Sequence, residues 1–159
     1  MSTQQAPSAV VMIRPHHFYP NPQTAGDNAF QQAIEDERRE KTKQAAFQQV
    51  TRVAEKLESL GVKVHLFEDD TQTTPDSVFP NNWFSTHADG RVGLYPMYPE
   101  NRRLERRADV IEMLKAQYQV QEVIDYTGLE QEGIFLEGTG SMVLDHIDRI
   151  AYAAESLRT

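Results

Sequence analysis

Two adjacent amides, Asn81 and Asn82, stand directly before Trp83, the only tryptophan of the chain. Asparagine is a poor strand former, and the proline before the pair disfavours a central position in a sheet. One interpretation is a bulge or turn between two short strands, because asparagine is common in turns. The other is a polar pair that is directed into a pocket walled by aromatic side chains.

A second candidate for chemistry is the carboxylate of Glu137, in the stretch FLEGTG. An apolar run precedes it and Gly138 and Gly140 follow it, which favours a closely packed backbone around the carboxylate. The alternative is a glutamate at a strand end that faces water. The chain contains no cysteine, so a cysteine nucleophile, a thiolate metal site and a disulfide within the chain are excluded.

The histidines show no catalytic or metal-binding pattern. The five are His16, His17, His65, His87 and His146. The adjacent pair at 16 and 17 lies in a proline-rich loop without a spaced acidic partner, which favours a solvated loop, and His146 is predicted at the top of a hairpin. No P-loop, dinucleotide-binding fingerprint or zinc-ligand spacing is present, so we expect no cofactor and no metal.

Apolar periodicity predicts a mixed α/β fold that would hold these residues. Residues 9–14 and 62–68 are predicted strands. Between them, an amphipathic helix is predicted over 46–60, ending at Gly61. The polar segment 35–44 is either an exposed part of the same helix or a break between two helices.

The second half of the chain is predicted to contain two hairpins. Segments 77–87 and 91–97 flank an Asp-Gly turn signal. An amphipathic helix is predicted over 101–118, followed by a strand over 118–126. A further hairpin is predicted over 134–155.

The order of these elements suggests a repeated β-β-α-β unit, which indicates a propeller or array. We expect one partial domain over residues 1–159, with modules at about 9–77, 78–126 and 127–159. The third module has a hairpin but no helix, so we infer a truncated chain. Its open ends should expose strand edges or apolar surface and favour self-association or a partner chain.

Composition limits the classes of partner. Apolar residues make up 39% and charged residues 25% of the 159, and the net charge is −8. This acidic balance argues against nucleic acid and anionic membranes as partners. No apolar run is long enough for a transmembrane helix and no signal peptide is visible, so a cytoplasmic location is expected.

Four stretches, PDSVFPNNW, NRR, FLEGTG and SLRT, fall in an order and spacing that resemble the guanidino-group-modifying superfamily. This superfamily includes dimethylarginine dimethylaminohydrolases, arginine deiminases and amidinotransferases. The form VFPNNWFSTH most resembles its citrulline-utilisation hydrolase branch, which is amidinotransferase-like. The resemblance runs from the strand at 9–14 to Thr159 and implies a pentein fold, an αβ propeller of five ββαβ modules.

The resemblance also implies a mechanism. A cysteine attacks the carbon of a guanidine or related group, a histidine acts as general acid and base, and a carboxylate orients that histidine and holds substrate nitrogens. Glu137 resembles the acidic residue of the EGG or DGG motif, and carboxylates match the planar N–H fork of such substrates. The cysteine and histidine would lie beyond this chain.

The resemblance further implies a set of substrate-binding residues. They are Asp76, Phe79, Asn81, Asn82, Arg102 and Arg158. The two arginines resemble those that grip the α-carboxylate of an amino acid. The alternatives are an Asx-turn for Asp76, a helix-face charge for Arg102 and a frayed terminus for Arg158.

Asn82 departs from the family pattern, because deiminases and dimethylarginine hydrolases have aspartate there. An amide both donates and accepts, whereas a carboxylate only accepts. Asn82 therefore favours a neutral ureido group, as in citrulline, over a guanidinium.

Three functions remain open from the sequence. The first is the substrate-binding part of a hydrolase for citrulline or an arginine-like amino acid, inactive by itself. The second is a non-catalytic binding or assembly module that needs a partner chain. The third is an ordinary α/β domain with another ligand.

Overall fold

The structure is a computed structural model that describes residues 6–26, 31 and 36–159, with only the backbone described at 36 and 37. The residues that the sequence suggests as caps of the first helix, Asp27 and Asn28, lie outside the described residues. No helix among the described residues is long and apolar enough to cross a membrane.

The chain divides into two compact units by its internal contacts. The N-terminal unit comprises Pro7–Pro80 and Pro99–Glu105. The C-terminal unit contains Asn81–Tyr98 and Arg106–Thr159. Each unit contains some of the candidate functional residues that the sequence suggests.

The N-terminal unit is built on one β-α-β crossover. Strand β1 (Ala9–Pro15) pairs in parallel with β2 (Lys63–Asp69), and helix α1 (Asp36–Ser59) connects them. Ile13 of β1 and Val50 and Ala54 of α1 are buried. Both predicted strands are confirmed. From residue 36 onward the polar segment belongs to the same helix, which is consistent with its glutamates, lysines and arginines being good helix formers.

The C-terminal unit contains a three-stranded sheet. Strand β3 (Phe84–Thr86) pairs antiparallel with β4 (Arg91–Leu94), which pairs in parallel with β5 (Glu122–Asp125). Gly90 adopts a positive φ of 82° in the turn before β4, as an Asp-Gly hairpin turn requires. The hairpin is confirmed but is shorter than expected, because Pro80–Asn82 forms a 3-10 turn.

The single helix predicted over 101–118 is wrong. The structure has two helices, α2 (Glu100–Arg103) and α3 (Ala108–Gln117), with a non-helical linker between them. Leu104, an apolar residue that an amphipathic helix over 101–118 would bury, is 64% exposed, while Glu105 beside it is buried. A buried charged side chain such as Glu105 requires a partner. The need to bury Glu105 beside its partner outweighs the helical pattern of apolar residues at this point.

The last predicted hairpin is confirmed only in part. Strand β6 (Met142–Asp145) pairs antiparallel with β7 (Ile150–Ala153), and His146 lies in the turn between them. The preceding residues 134–141 were expected to be strand, but Gly138–Ser141 forms one helical turn, α4. A 3-10 helix over Thr127–Glu132 was not anticipated.

The strands that the structure describes form separate sheets of two, three and two strands, without a closed barrel. The C-terminal unit shows the order β3-β4-α3-β5, which is the predicted β-β-α-β unit, whereas the N-terminal unit shows β-α-β. The fold is mixed α/β, and the number of propeller modules stays a prediction.

Candidate functional site

Glu137 is fully buried in the C-terminal unit, and its carboxylate contacts three parts of the chain, two through hydrogen bonds and one through an ion pair. The side-chain amide of Asn82 donates to Oε2 over 3.1 Å. The backbone N–H of Tyr98 donates to Oε1 over 3.2 Å. The guanidinium of Arg158 lies 3.7 Å from Oε2. Buried charges require such partners, so the water-facing alternative for Glu137 is wrong.

Two glycines allow the backbone after Glu137 to approach the Asn81-Asn82 turn. Gly138 has a φ of 37°, and a Cβ there would lie 2.4 Å from the carbonyl oxygen of Asn81. A Cβ on Gly140 would lie 1.9 Å from Nδ2 of Asn82. Both distances are shorter than a van der Waals contact, so the stretch EGTG fits this turn only because it lacks side chains at these positions.

The backbone of Glu137 is fixed as firmly as its side chain. Its N–H donates to the carbonyl oxygen of Arg158 and to Oγ of Ser141, each over 3.1 Å. Arg158 is therefore packed on the Glu137 turn by both its backbone and its guanidinium. These contacts contradict the alternative in which Arg158 belongs to a frayed terminus.

The turn interpretation of the amide pair is confirmed, and the aromatic-walled pocket stays a prediction. Asn81 and Asn82 form a turn before β3. Asn81 is exposed and its carbonyl accepts from the hydroxyl of Thr139 over 3.4 Å. Asn82 is 5% exposed and orients the buried carboxylate. Trp83 follows as a fully packed core residue at 1% exposure.

Asn82 and Glu137 are therefore in direct contact, although neither residue lies on a strand. The pairing gives a carboxylate in a protected environment with a fixed orientation. Such a group can accept hydrogen bonds from the N–H groups of a planar cation or urea. The sequence did not indicate the N–H of Tyr98, because a backbone donor leaves no residue-type signal.

A second polar cluster lies within the N-terminal unit, around Arg102. Its guanidinium donates to both carboxylate oxygens of Glu105 over 3.0 to 3.2 Å. Oδ2 of Asp76 lies 3.7 Å from the Arg102 Nε and accepts from the amide of Asn21 over 2.8 Å. Asn21 also exchanges hydrogen bonds with Asn101.

This cluster changes the interpretation of Arg102. The residue is 3% exposed, so the helix-face alternative is wrong. Its guanidinium also donates to the carbonyl oxygens of Asp76 and Phe79, each over 3.4 Å. A substrate carboxylate would have to share these donors with Glu105. The side chain of Phe79 is 47% exposed.

Sequence reasoning missed Asn21 and Glu105 in this cluster. Two signals were present. Asn21 stands between two prolines, a setting that restricts the backbone and suits a fixed polar side chain. Glu105 follows Arg102 by three residues, the spacing of a helical ion pair.

His87 lies in a small hydrogen-bonded group in the C-terminal unit. Its Nε2 is 2.9 Å from Oγ of Ser85, which lies 2.6 Å from the hydroxyl of Tyr95. Burial, and secondarily the neighbouring His146, lower the pKa of His87. Within the described residues no group of three potential ligands could hold a metal ion.

Comparison with known proteins supports the superfamily. A family model described as N,N dimethylarginine dimethylhydrolase, eukaryotic, matches residues 14–159. A comparison with curated proteins found no significant match. The finer resemblance to the citrulline-utilisation branch stays a prediction.

Solved structures with this fold include three proteins of low sequence identity to this chain. The N-terminal domain of ArgZ, an arginine dihydrolase from cyanobacteria, has a TM-score of 0.64 at 20% identity and covers 95% of this chain and 50% of that one. A dimethylarginine dimethylaminohydrolase adduct with S-methyl-L-thiocitrulline has a TM-score of 0.59 at 18% identity, covering 94% and 51%. Unliganded AgrE has a TM-score of 0.60 at 20% identity, covering 91% and 19%. The chain spans about half the length of the first two, and these likenesses show the fold.

Proposed function

The chain belongs to the eukaryotic N,N dimethylarginine dimethylhydrolase family, and we propose that it forms the substrate-binding part of a hydrolase. The substrate would be an amino acid with a guanidino or ureido group, such as arginine, citrulline or a derivative. The observation that carries this proposal is the buried carboxylate of Glu137, oriented by Asn82 and by the Tyr98 N–H.

Glu137 would accept hydrogen bonds from the N–H groups of the substrate. A buried, oriented carboxylate binds a planar cation strongly, because charge-assisted hydrogen bonds are about twice as strong as neutral ones. The donors that already surround Glu137 keep it in one rotamer, so little ordering is needed when a substrate binds.

The chemical step requires groups that this sequence lacks. The carbon of a guanidinium is stabilised by resonance, so attack requires an activated nucleophile and a proton donor for the leaving amine. The chain has no cysteine. We propose that the nucleophile and the general acid and base are supplied from outside these 159 residues.

The remaining substrate contacts stay proposals based on the resemblance. They are Asp76, Phe79, Asn81, Arg102 and Arg158. Arg158 has support from its position 3.7 Å from Glu137, where a cation could approach a substrate carboxylate. Asp76 and Arg102 are each held by neighbours in the N-terminal unit, so they would act as fixed rather than mobile contacts.

The proposal is tested by calorimetric titration of the purified chain with L-arginine, L-citrulline and L-lysine as a control. We expect millimolar or tighter binding of at least one of the first two and none of lysine. Glu137→Gln should weaken that binding about tenfold or more, because one charge-assisted hydrogen bond contributes ~1.5–3 kcal/mol. Glu132→Gln, at an exposed glutamate of the same unit, is the matched control and should bind like the wild type. Equal binding by both variants would contradict the role of Glu137.

A non-catalytic binding or assembly module is the second candidate, and the missing cysteine favours it. In that case the ligand would bind as above, but a separate chain would carry out the chemistry. Reconstitution with a cysteine-containing partner chain would distinguish it from a continuous enzyme.

A further inference from the structure

Glu105 is a buried carboxylate of the N-terminal unit that the proposed function does not use. Its side chain is 0% exposed, and that of Arg102 beside it is 3% exposed. Nε of Arg102 donates to both carboxylate oxygens of Glu105, over 3.0 and 3.2 Å, and Nη2 donates to Oε2 over 3.0 Å. Because two nitrogens of the planar guanidinium contact the same carboxylate, Glu105 fixes the orientation of Arg102 and not only its distance.

The oriented guanidinium contacts the segment 76–79 of the same unit. Nη2 of Arg102 donates to the carbonyl oxygens of Asp76 and Phe79, each over 3.4 Å. Nε lies 3.7 Å from Oδ2 of Asp76. The segment belongs to neither a helix nor a strand, so regular backbone pairing does not fix its carbonyl groups. Arg102 supplies hydrogen bonds to both ends of it instead.

Glu105 and Asp76 are two carboxylates beside one guanidinium. Glu105 makes the shorter contact with Arg102, 3.0 Å against 3.7 Å for Asp76. Oδ2 of Asp76 also accepts from the side-chain amide of Asn21 over 2.8 Å. Without the charge of Glu105, the attraction of Asp76 would draw the guanidinium toward Oδ2, because charges interact strongly away from water. The contacts between Arg102 and the carbonyl oxygens of segment 76–79 would then change.

We propose that Glu105 is a positioning residue that, through Arg102, fixes Asp76 and the carbonyl groups of segment 76–79 for ligand binding. The inference rests on the proposed function, which includes Asp76 and Phe79 among the substrate contacts. Glu105 itself touches no ligand in this role. Replacement of a buried ion pair by apolar side chains of similar volume is often neutral or stabilising, so stability alone does not explain why a pair is present here.

The first test separates positioning from stability. Arg102→Met combined with Glu105→Leu removes both charges together, and the urea midpoint of this double variant should be at least close to that of the wild type. Its affinity for L-arginine or L-citrulline, whichever the wild type binds, should still fall at least about fivefold in calorimetric titration, within the range of couplings in one hydrogen-bond network. Glu105→Gln should show a similar loss. Glu100→Gln, at an exposed glutamate of α2, is the matched control and should bind like the wild type.

The methyl ester of the same amino acid distinguishes positioning from a direct contact between Arg102 and the substrate carboxylate. The ester has no carboxylate charge but keeps the rest of the molecule. A role that acts through segment 76–79 predicts that Glu105→Gln weakens the binding of the acid and of the ester by the same factor. A loss of affinity for the acid alone would overturn the proposal.

A spectroscopic measurement tests the contact without a ligand. The Nε–H of Arg102 should give a slowly exchanging signal in ¹H–¹⁵N NMR spectra of the wild type, since it is buried and hydrogen-bonded to a carboxylate. Glu105→Gln should shift this signal and speed its exchange with solvent, whereas Glu100→Gln should not. An unchanged signal in Glu105→Gln contradicts the proposal.

The outcomes separate this inference from the proposed function. A wild-type chain that binds neither amino acid contradicts the proposed function and this inference with it. Binding by the wild type that is unchanged in the Arg102→Met, Glu105→Leu double variant contradicts this inference alone. Circular dichroism checks the folding of each variant. A double variant that does not fold shows that the pair acts in stability, and it overturns the positioning role.

Discussion

At the scale of single residues, Asn82 is the side chain that orients the buried carboxylate of Glu137. Its amide donates to Glu137, so an aspartate in its place would bring two buried carboxylates within about 3 Å of each other. Like charges at that distance raise the pKa of one member of the pair. If Asn82 favours a ureido group, Asn82→Asp in the full-length protein should shift preference from ureido toward guanidino substrates by ~1–3 kcal/mol, and the stability of the variant has to be measured with it.

We predict that Asn82→Asp destabilises the fold more at pH 7.5 than at pH 5. The raised pKa means that the shared proton is retained at low pH, and stability is lost as the pH rises through the folded-state pKa. The expected loss at pH 7.5 is about 2 kcal/mol or more, typical of a buried polar group left without a partner. Urea unfolding at both pH values measures it. Asn81→Asp, at the exposed neighbour, is the control, and equal, pH-independent effects of the two variants would contradict the contact.

At the scale of elements, α4 fits against the 3-10 turn before β3 only because α4 has glycine at positions 138 and 140. We predict that Gly140→Ala destabilises the chain by about 1–3 kcal/mol, the range for an overpacked site, because the new methyl group would displace the Asn82 amide. Gly128→Ala is the matched control, since a Cβ there meets nothing within 4 Å. Thermal unfolding of both variants decides the point, and a Gly140→Ala chain as stable as the control would show that the turn can relax.

The two hairpins of the C-terminal unit make one pH-sensitive contact. The rings of His87 and His146 are 5.7 Å apart, and burial, followed by His146 and Arg91, lowers the pKa of His87, with Asp89 opposing. A lowered folded-state pKa means that the unfolded chain binds the proton more readily. Stability is then complete above the unfolded pKa of about 6.5 and falls as the pH drops through the folded-state value.

We therefore expect the midpoint of urea unfolding to fall between pH 7.5 and 5.5, and His87→Gln to reduce this dependence. Some dependence should persist, because the pKa of His65 is also lowered, by burial and by Lys63. His17→Gln, in the loop after β1, is the control for loss of a histidine. An unchanged pH dependence in His87→Gln would mean that His87 does not contribute to it.

At the scale of the whole molecule, the chain contains a buried, oriented carboxylate but no cysteine thiol. We predict that residues 1–159 alone release no ammonia from L-arginine or L-citrulline above background, because losing the nucleophile removes most of the acceleration when catalytic groups act as a unit. A coupled ammonia assay measures this. If the wild-type chain releases ammonia and Glu137→Gln abolishes that release, the chain is catalytically complete.

The sequence by itself determined the local features of this protein. The parallel strands around α1 and the β3-β4 hairpin with its Asp-Gly turn follow from side-chain period and turn chemistry, which act over a few residues. The family follows from the order of short motifs. Only the tertiary structure decided which polar groups meet. Asn82 and Glu137 are 55 residues apart in the chain. The linker after Arg103 interrupts a predicted helix at the position where Glu105 is buried against Arg102. A buried charge requires a partner, and the fold can supply it from a distant part of the chain. The periodicity of a local segment does not indicate which residue that partner is.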